Sequence, residues 1–166
     1  MKKVAVYLLI GLFSVLSCEA QKKWKKYLFT CSSAFVSGTI DGAIESISFH
    51  YENGFKLRCT KANDLFWDPA VSWKNKYKNG DPKQGEKFTG STTVFVAATD
   101  GYHVLRGSKR CIEATTLAWY MNDVYCDTLR TKKKKFKKVL LDFLILSAVR
   151  SVGFHFSYTF LFRKQD

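Results

Sequence analysis

Residues 139–162 decide the fold: their sequence is VLLDFLILSAVRSVGFHFSYTFLF, an apolar run whose only formal charges are on Asp142 and Arg150. A helix of this length measures about 36 Å, which is enough to cross the roughly 30 Å hydrocarbon layer of a bilayer. From Phe154 onward, aromatic and polar residues alternate with the period of a strand. The length of the run favours a helix over a strand, because strands rarely exceed about ten residues. We therefore predict a helix that is long enough to span a membrane.

Two further apolar blocks precede this run. Residues 27–51 keep a broad apolar surface at helical spacing, and Gly54 follows as a stop. Residues 92–126 form the other block, which is interrupted near residues 107–110 and is predicted to be one bent helix or a hairpin of two short ones. The chain is thus predicted to be mainly α, a small bundle of three to four apolar helices in a single domain over residues 21–166.

A polar connector, residues 52–91, separates the first two blocks and contains both prolines, Pro69 and Pro82. Structureless loops of this length are uncommon in compact domains, where they are usually functional or disordered. The aromatic rings at positions 66–82, Trp67 and Trp73 among them, argue against disorder because they need a surface to pack on. We predict an ordered loop that lies across the helices or along a membrane interface.

The N-terminus has the layout of a secretory signal. The chain begins Met-Lys-Lys, residues 4–16 are uncharged and apolar, and the small residue Ala20 precedes Gln21. Residues 1–20 are therefore predicted to be a signal peptide that exports the chain to the bacterial cell envelope. The alternative is an uncleaved anchor, since the apolar run is only a little shorter than a membrane span.

The formal net charge is +13, and lysines cluster beside the apolar blocks. One cluster, at positions 22–26, surrounds Trp24, and another, at positions 132–138, surrounds Phe136. Such lysines attract anionic lipid headgroups by about 1 kcal/mol each, and aromatic rings sit at headgroup level. Anionic membrane lipids are the predicted partner, with interface anchors at Trp24, Trp67, Trp73 and Phe136. Nucleic acid is not expected, because the chain is exported and lysine far outnumbers arginine.

The lysine clusters also bear on topology. The positive-inside tendency places residues 132–138 in the cytoplasm and the end of the last apolar run on the far side. With an exported N-terminus, residues 22–26 would then lie outside, against the same tendency. The two clusters are thus expected on opposite sides of the membrane.

Five cysteines occur, at positions 18, 31, 59, 111 and 126, and no Cys-x-x-Cys pair is among them. A structural metal site at these cysteines is therefore not supported. Export would allow disulfides among the four that remain after cleavage. We expect Cys111 and Cys126 to be the first candidate pair, because their bond would tie the ends of one apolar stretch. The alternative is buried thiols that behave as small hydrophobes.

Two segments carry a resemblance to known proteins. Residues 67–82, WDPAVSWKNKYKNGDP, and residues 99–103, TDGYH, are similar to segments of an uncharacterised family of small Bacteroidetes-type membrane proteins. The likeness covers residues 35–162. It implies a helical envelope protein and brings no established activity or catalytic residue. The Asp100-x-x-His103 spacing also resembles an element of VanZ-like small membrane proteins.

Ionisable residues inside the apolar blocks are the candidates for chemistry, because burying them is costly without a partner or a cavity. Asp41 and Glu45 are four residues apart and Asp100 and His103 are three apart, so each pair shares a helix face. We predict that the four side chains lie close together. Asp41 and Glu45 would then ligate a divalent metal, and Asp100 and His103 would be the catalytic groups that position a water.

Asp142 and Arg150 lie about 80° apart on a helical wheel and are predicted to form a structural ion pair. Two functions follow from the polar residues. If they only hold helices together, the protein is a non-enzymatic scaffold or accessory component of an envelope membrane. If they bind a metal, it is a small membrane-embedded hydrolase that acts on an anionic lipid or envelope precursor. Gly-x-Ser-x-Gly, P-loop and His-Glu-x-x-His motifs are absent from the sequence.

Overall fold

The computed structural model describes residues 20–126 and 131–163. These residues form five α-helices: α1 (Ala20–His50), α2 (Asp64–Trp67), α3 (Pro69–Ser72), α4 (Gly101–Cys126) and α5 (Lys132–His155). Helices α1 and α5 each continue into a π-helical turn, at Tyr51–Lys56 and Phe156–Leu161. The prediction of a mainly α bundle is confirmed. The predicted signal peptide lies, up to residue 19, outside the described residues.

The helices follow two of the three predicted blocks. α5 and its π-helical turn contain nearly all of residues 139–162, including the alternating last third, so the helix prevails over the strand there. Of the two alternatives for residues 92–126, the hairpin of two short helices is wrong, because α4 runs unbroken through Gly107. A glycine inside a helix costs only about 1 kcal/mol, and the polar residues after it are compatible with a helix. The first part of that block, residues 92–100, forms turns instead.

Helices α1 and α5 pack very closely. A Cβ atom on Gly38 would lie 2.0 Å from the carbonyl oxygen of Arg150, and one on Gly153 would lie 2.2 Å from that of Phe35. Gly42, one turn after Gly38, is confined in the same way. Residues without a side chain are needed at these positions because the two backbones touch there, as in small-xxx-small helix pairs.

Helix α4 packs on another side of α1, where the rings of Phe29 and Trp119 stack with centroids 4.5 Å apart. Among the described helices, α1 contacts both α4 and α5, whereas α4 and α5 contact each other little. α1 is therefore the central helix. Tyr27 of α1 reaches Asp142 of α5 and Lys26 pairs with Asp123 of α4. The N-terminal halves of α1 and α5 thus lie beside the C-terminal part of α4 at one end of the bundle, which we call the lysine end.

In the structure, the connector comprises residues 57–100, which include most of the predicted polar connector and the turns that follow it, and it covers the other end of the bundle. The ring of Phe55 lies 5.4 Å from that of Trp67 and 5.1 Å from that of Phe162. Ile47 and Tyr51 complete this apolar cluster. The predicted ordered loop is confirmed, and it is wound into short helices and turns that rest on the ends of α1 and α5.

Candidate functional site

Asp142 lies between the three long helices and is only 3% exposed. Tyr27 of α1 and Tyr120 of α4 donate their hydroxyls to its two carboxylate oxygens, at 3.3 and 2.8 Å. Lys138, one turn earlier on α5, binds the same carboxylate. The Lys138 ammonium also lies 5.3 and 5.2 Å from the centres of the two tyrosine rings. We call these four residues the Asp142 network; its one acid and one base neutralise each other.

A second group of charges lies further along the bundle. Asp41 of α1 pairs with Lys109 of α4, at 2.5 Å, and with Arg150 of α5. Glu113 of α4 lies 3.9 Å from Lys109 and 3.7 Å from Arg150, and it accepts a hydrogen bond of 2.7 Å from the buried Ser37 hydroxyl. We call these five residues the Asp41 network. Two acids and two bases balance there, and all three long helices contribute.

The predicted ion pair between Asp142 and Arg150 is wrong. Arg150 binds Asp41, and Asp142 binds Lys138. Eight residues of helix separate Asp142 and Arg150 by about 12 Å along the axis. Lys138 lies four residues from Asp142, and that spacing places two side chains on adjacent turns of one face.

The four residues predicted to form a metal and catalytic cluster are not brought together. Asp41 meets Lys109, which lies nine residues after Asp100 and so about 13 Å away along α4. Glu45 belongs to neither charge network. Within the described residues, no group of three or more His, Cys, Asp or Glu side chains is placed to hold a metal ion. The geometry therefore does not support Asp41 and Glu45 as metal ligands beside Asp100 and His103.

Asp100 and His103 do meet, at the start of α4. The buried Asp100 carboxylate accepts the backbone N–H of His103 at 2.9 Å, and His103 Nδ1 lies 2.8 Å from both of its oxygens. A carboxylate in this position satisfies a first-turn N–H that has no partner inside the helix. The side-chain amide of Asn75 donates to the carbonyl oxygen of Thr99 at 2.7 Å, which holds the connector against the same helix end. The pair is thus part of the junction between connector and bundle.

Helix α5 turns most of its apolar side chains outward. The stretch Lys132–Leu161 is long and apolar enough to cross a membrane, and only 11% of its apolar window is buried. The core helix of a soluble protein would be mostly buried, and a signal sequence would lie near the N-terminus. α5 fits neither description. Its exposed apolar side chains are those of Phe136, Val139, Leu140, Leu141, Phe143, Leu144 and Val152.

Most of the fully buried side chains in the described part of the chain are polar. Among the described residues, buried apolar side chains are few: Ile47, Tyr51, Phe55 and Val149. The buried polar and charged residues outnumber them: Thr30, Ser37, Ser46, Ser72, Ser91, Thr99, Asp100, Asp142 and Ser157. Water-soluble domains show the reverse, with apolar residues inside. The buried polar residues that belong to the long helices are Thr30, Ser37, Ser46 and Asp142.

Both lysine clusters lie at the lysine end, because α1 and α5 run in the same direction. The expectation that the two clusters occupy opposite sides is therefore wrong for any arrangement in which the bundle crosses a membrane. Trp24 and Phe136 are exposed at this end, as a headgroup contact would require.

The two connector tryptophans have different surroundings. Trp67 packs on Phe55 and against Gly101, where a Cβ atom would lie 2.2 Å from its ring. Trp73 is exposed, and its indole N–H donates to the carbonyl oxygen of Ala70 at 3.1 Å. Trp67 therefore anchors the connector to the helices, whereas Trp73 is free to contact an interface.

The expected disulfide between Cys111 and Cys126 is wrong within one chain. Both residues belong to α4, and fifteen helical residues separate them by about 22 Å. Bonded cysteines have Cα atoms about 4.4–6.8 Å apart. Cys31, Cys59 and Cys111 are free thiols.

No protein-family model, curated protein or solved structure matches this chain. The resemblance to small envelope proteins therefore stays a prediction. A function has to be argued from the geometry of the chain's own residues.

Sequence reasoning missed most of the two charge networks. Lys138 and Asp142, like Lys109 and Glu113, are four residues apart in one helix, and this spacing could have identified them as neighbours. Tyr27 could not have been found in this way, because its partner lies 115 residues away in the sequence. The Gly38-x-x-x-Gly42 spacing was also readable as a helix contact.

Proposed function

We propose that the protein is a small integral membrane protein of the bacterial cell envelope, in which α5 crosses the bilayer and α1 and α4 accompany it. The exposure of α5 carries this proposal, since a long apolar helix is only 11% buried. Exposed apolar area in water costs about 25 cal/mol per Å². Lipid removes that cost for side chains such as Phe143 and Leu144.

The polar interior supports the same proposal. Ionisable residues inside a membrane are expensive unless they face the bundle interior and pair with one another. Asp142 and Asp41 each pair with a base and lie between helices. Gly38 and Gly42 allow the close helix contact that replaces the hydrophobic effect as a source of association in lipid.

The lysine end would bind anionic lipid headgroups. Both lysine clusters lie there, and their lysines other than Lys26 and Lys138, which pair with Asp123 and Asp142, would each contribute about 1 kcal/mol of attraction to a negatively charged leaflet. Trp24 and Phe136 are exposed among these lysines and suit the headgroup level. The partner is thus an anionic membrane surface rather than a nucleic acid.

We infer that the role is structural, as a scaffold or accessory component. Asp41, Asp142 and Arg150 are engaged in contacts between helices, and Asp100 holds the start of α4. Side chains committed in this way stabilise the bundle. A hydrolase would need to release at least one of these carboxylates for a metal or a water.

Membrane extraction tests the attachment directly. Native membranes that contain the full chain are washed with alkaline carbonate and then dissolved in detergent. We expect the protein to resist carbonate and to enter the detergent extract, since α5 is surrounded by lipid. Complete release by carbonate would reduce the proposal to peripheral binding and would rule out a membrane-spanning α5.

A lipid-binding measurement tests the lysine end. The purified protein is reconstituted with phosphatidylglycerol or phosphatidylcholine, and the headgroups that it immobilises are counted by spin-label spectroscopy. Changing Lys132 and Lys133 to glutamine should reduce the preference for phosphatidylglycerol. The matched control changes both to arginine, which keeps the charge and should keep the preference. An equal preference in all variants would exclude this end as the headgroup site.

A further inference from the structure

A second apolar surface lies in the connector, a few residues before the start of α4. Phe88, Val94 and Phe95 are large apolar residues that are 42%, 78% and 57% exposed. We call these three residues the apolar tip. Single exposed hydrophobic residues are ordinary, whereas several within eight positions of one loop indicate a surface that contacts something.

Hydrogen bonds hold the loop that carries the apolar tip. Glu86 accepts the backbone N–H of Gly90 at 3.0 Å and the hydroxyl of Thr92. These two bonds keep the pKa of Glu86 below its usual value. Ser91 is fully buried, and its hydroxyl donates to the carbonyl oxygen of Lys76 at 2.7 Å. The apolar tip is thus presented by an ordered frame, which lowers the entropy that binding would cost.

Lysines are frequent in the chain segment that contains the apolar tip. From residue 74 to residue 95 the chain contains five lysines, at positions 74, 76, 78, 83 and 87, and two acids, Asp81 and Glu86. The segment therefore has a net charge of +3 from these residues. Apolar side chains flanked by lysines are typical of segments that lie in the interface of an anionic membrane.

The apolar tip also lies near the level at which the helices end. A 3₁₀ turn at Val96–Ala98 leads from the tip to the first residue of α4. At the same end of the bundle, α1 and the π-helical turn after α5 expose Phe49 and Phe160. The apolar exterior of the helices therefore reaches the end at which the tip is attached.

We propose that the apolar tip inserts into the headgroup–acyl boundary of an anionic bilayer, in the leaflet opposite to the one that binds the lysine end. This inference rests on the proposed function, because the tip would enter the same bilayer that α5 crosses. The connector would then bind lipid through Phe88, Val94 and Phe95, with the neighbouring lysines on the headgroups.

Fluorescence quenching in the full chain tests this placement. A bimane label is attached to a cysteine introduced at Val94, at Phe143 on α5 or at Lys61 in the exposed connector, with the native cysteines changed to serine and helical content checked by circular dichroism. The protein is reconstituted in phosphatidylglycerol with bromine on the acyl chains. Labels at positions 94 and 143 should be quenched by the bromolipid and should be roughly threefold less accessible to aqueous iodide than the label at position 61, since the interface shields them from water.

The outcomes separate this inference from the proposed function. If the label at position 143 is quenched by bromolipid but the one at position 94 behaves like the one at position 61, the tip does not insert and only this inference fails. If the label at position 143 is not quenched by bromolipid, both proposals fail. A tip shielded from iodide without quenching by lipid would indicate a protein contact and would also overturn the inference.

A measurement on the unmodified chain avoids any effect of the introduced cysteines. Chymotrypsin cleaves after exposed aromatic and leucine residues, so cleavage after Phe95 and after Leu65 is compared by mass spectrometry. Phosphatidylglycerol vesicles should protect Phe95 relative to phosphatidylcholine vesicles, whereas Leu65, which lies outside the tip, should be cleaved equally in both. Equal cleavage after Phe95 in the two lipids would overturn the inference.

Discussion

Carboxylates stabilise the helical bundle and the connector in different ways. In the bundle, Asp142 and Asp41 bind side chains of other helices, and the partner of Asp142 on α1 is 115 residues away in sequence. In the connector, Asp68 and Asp81 each accept a backbone N–H two residues ahead at 2.9 Å. The first kind of bond joins distant segments, and the second shapes a few residues of chain.

An aspartate contributes differently to the stability of the fold in the two regions, because its surroundings differ. Asp68 and Asp81 lie where water can replace a lost partner, so their bonds make small net contributions. Asp142 is 3% exposed and is bound by Tyr27 and Tyr120, so water cannot readily replace its partner. The glycines of the two regions also have different roles. Gly38 leaves room for the backbone of α5, whereas Gly90 allows a turn with a φ of 81°, a value that residues with side chains rarely adopt.

The largest effect is expected from Asp142. Changing Asp142 to alanine should lower the free energy of unfolding by about 3–5 kcal/mol, because it leaves the Lys138 ammonium unpaired between helices. Unfolding of the detergent-solubilised protein, followed by circular dichroism, measures this loss. The double change Asp142→Leu with Lys138→Met should cost less than the single one. As a control, Asp123→Asn removes an exposed partner of Lys26 and should cost less than about 1 kcal/mol. Equal losses at Asp142 and Asp123 would contradict the comparison.

Gly38 should come next. A Cβ atom there overlaps the carbonyl oxygen of Arg150, so Gly38→Ala should force α1 and α5 apart and cost about 1–3 kcal/mol or more. Gly107→Ala is the matched control, since a Cβ atom at Gly107 meets nothing within 4 Å. That control should stabilise α4 by up to about 1 kcal/mol in the same assay. A neutral Gly38→Ala would show that the close helix contact does not matter for stability.

The next effect is expected at Asp100, a buried carboxylate that caps the start of α4. Asp100→Ala should cost about 0.5–2 kcal/mol, the usual range for removal of an N-cap. Asp100→Asn keeps an acceptor for the His103 N–H and should retain much of that stability, as should His103→Ala, which leaves the backbone bond in place. Loss of a cellular phenotype in His103→Ala with normal unfolding would favour the catalytic prediction over the cap.

The smallest effect is expected at Glu86, in the frame of the apolar tip. Hydrogen bonds from Thr92 and Gly90 lower its pKa below 4.5, so its contribution is present above that pH and is lost as the pH falls through the lowered folded-state value. Amide hydrogen exchange at Gly90 should therefore accelerate, beyond the intrinsic pH trend, only under strongly acidic conditions. In Glu86→Gln this extra acceleration should vanish. An extra step near neutral pH would point to a different group.

Several elements could be predicted from the sequence for local reasons. The run from Val139 predicts the helix of α5 because its length and apolar content are properties of neighbouring residues. The ordered state of the connector follows from its aromatic rings, Trp67 included. Gly107, by contrast, does not break the helix, because the cost of one glycine is small in a helix as long as α4.

By itself, the sequence determined the long helices and the lysine clusters, and it contained the four-residue spacing that makes Lys138 and Asp142 neighbours, because each of these depends on spacing along one segment. Only the tertiary structure decided that Arg150 binds Asp41, that Asp100 stays apart from Asp41 and that both lysine clusters share one end. Those choices depend on how far the helices approach and in which register they pack. The contact at Gly38 sets the distance between α1 and α5 and their register. Neither can be calculated from the spacing of residues along a single helix.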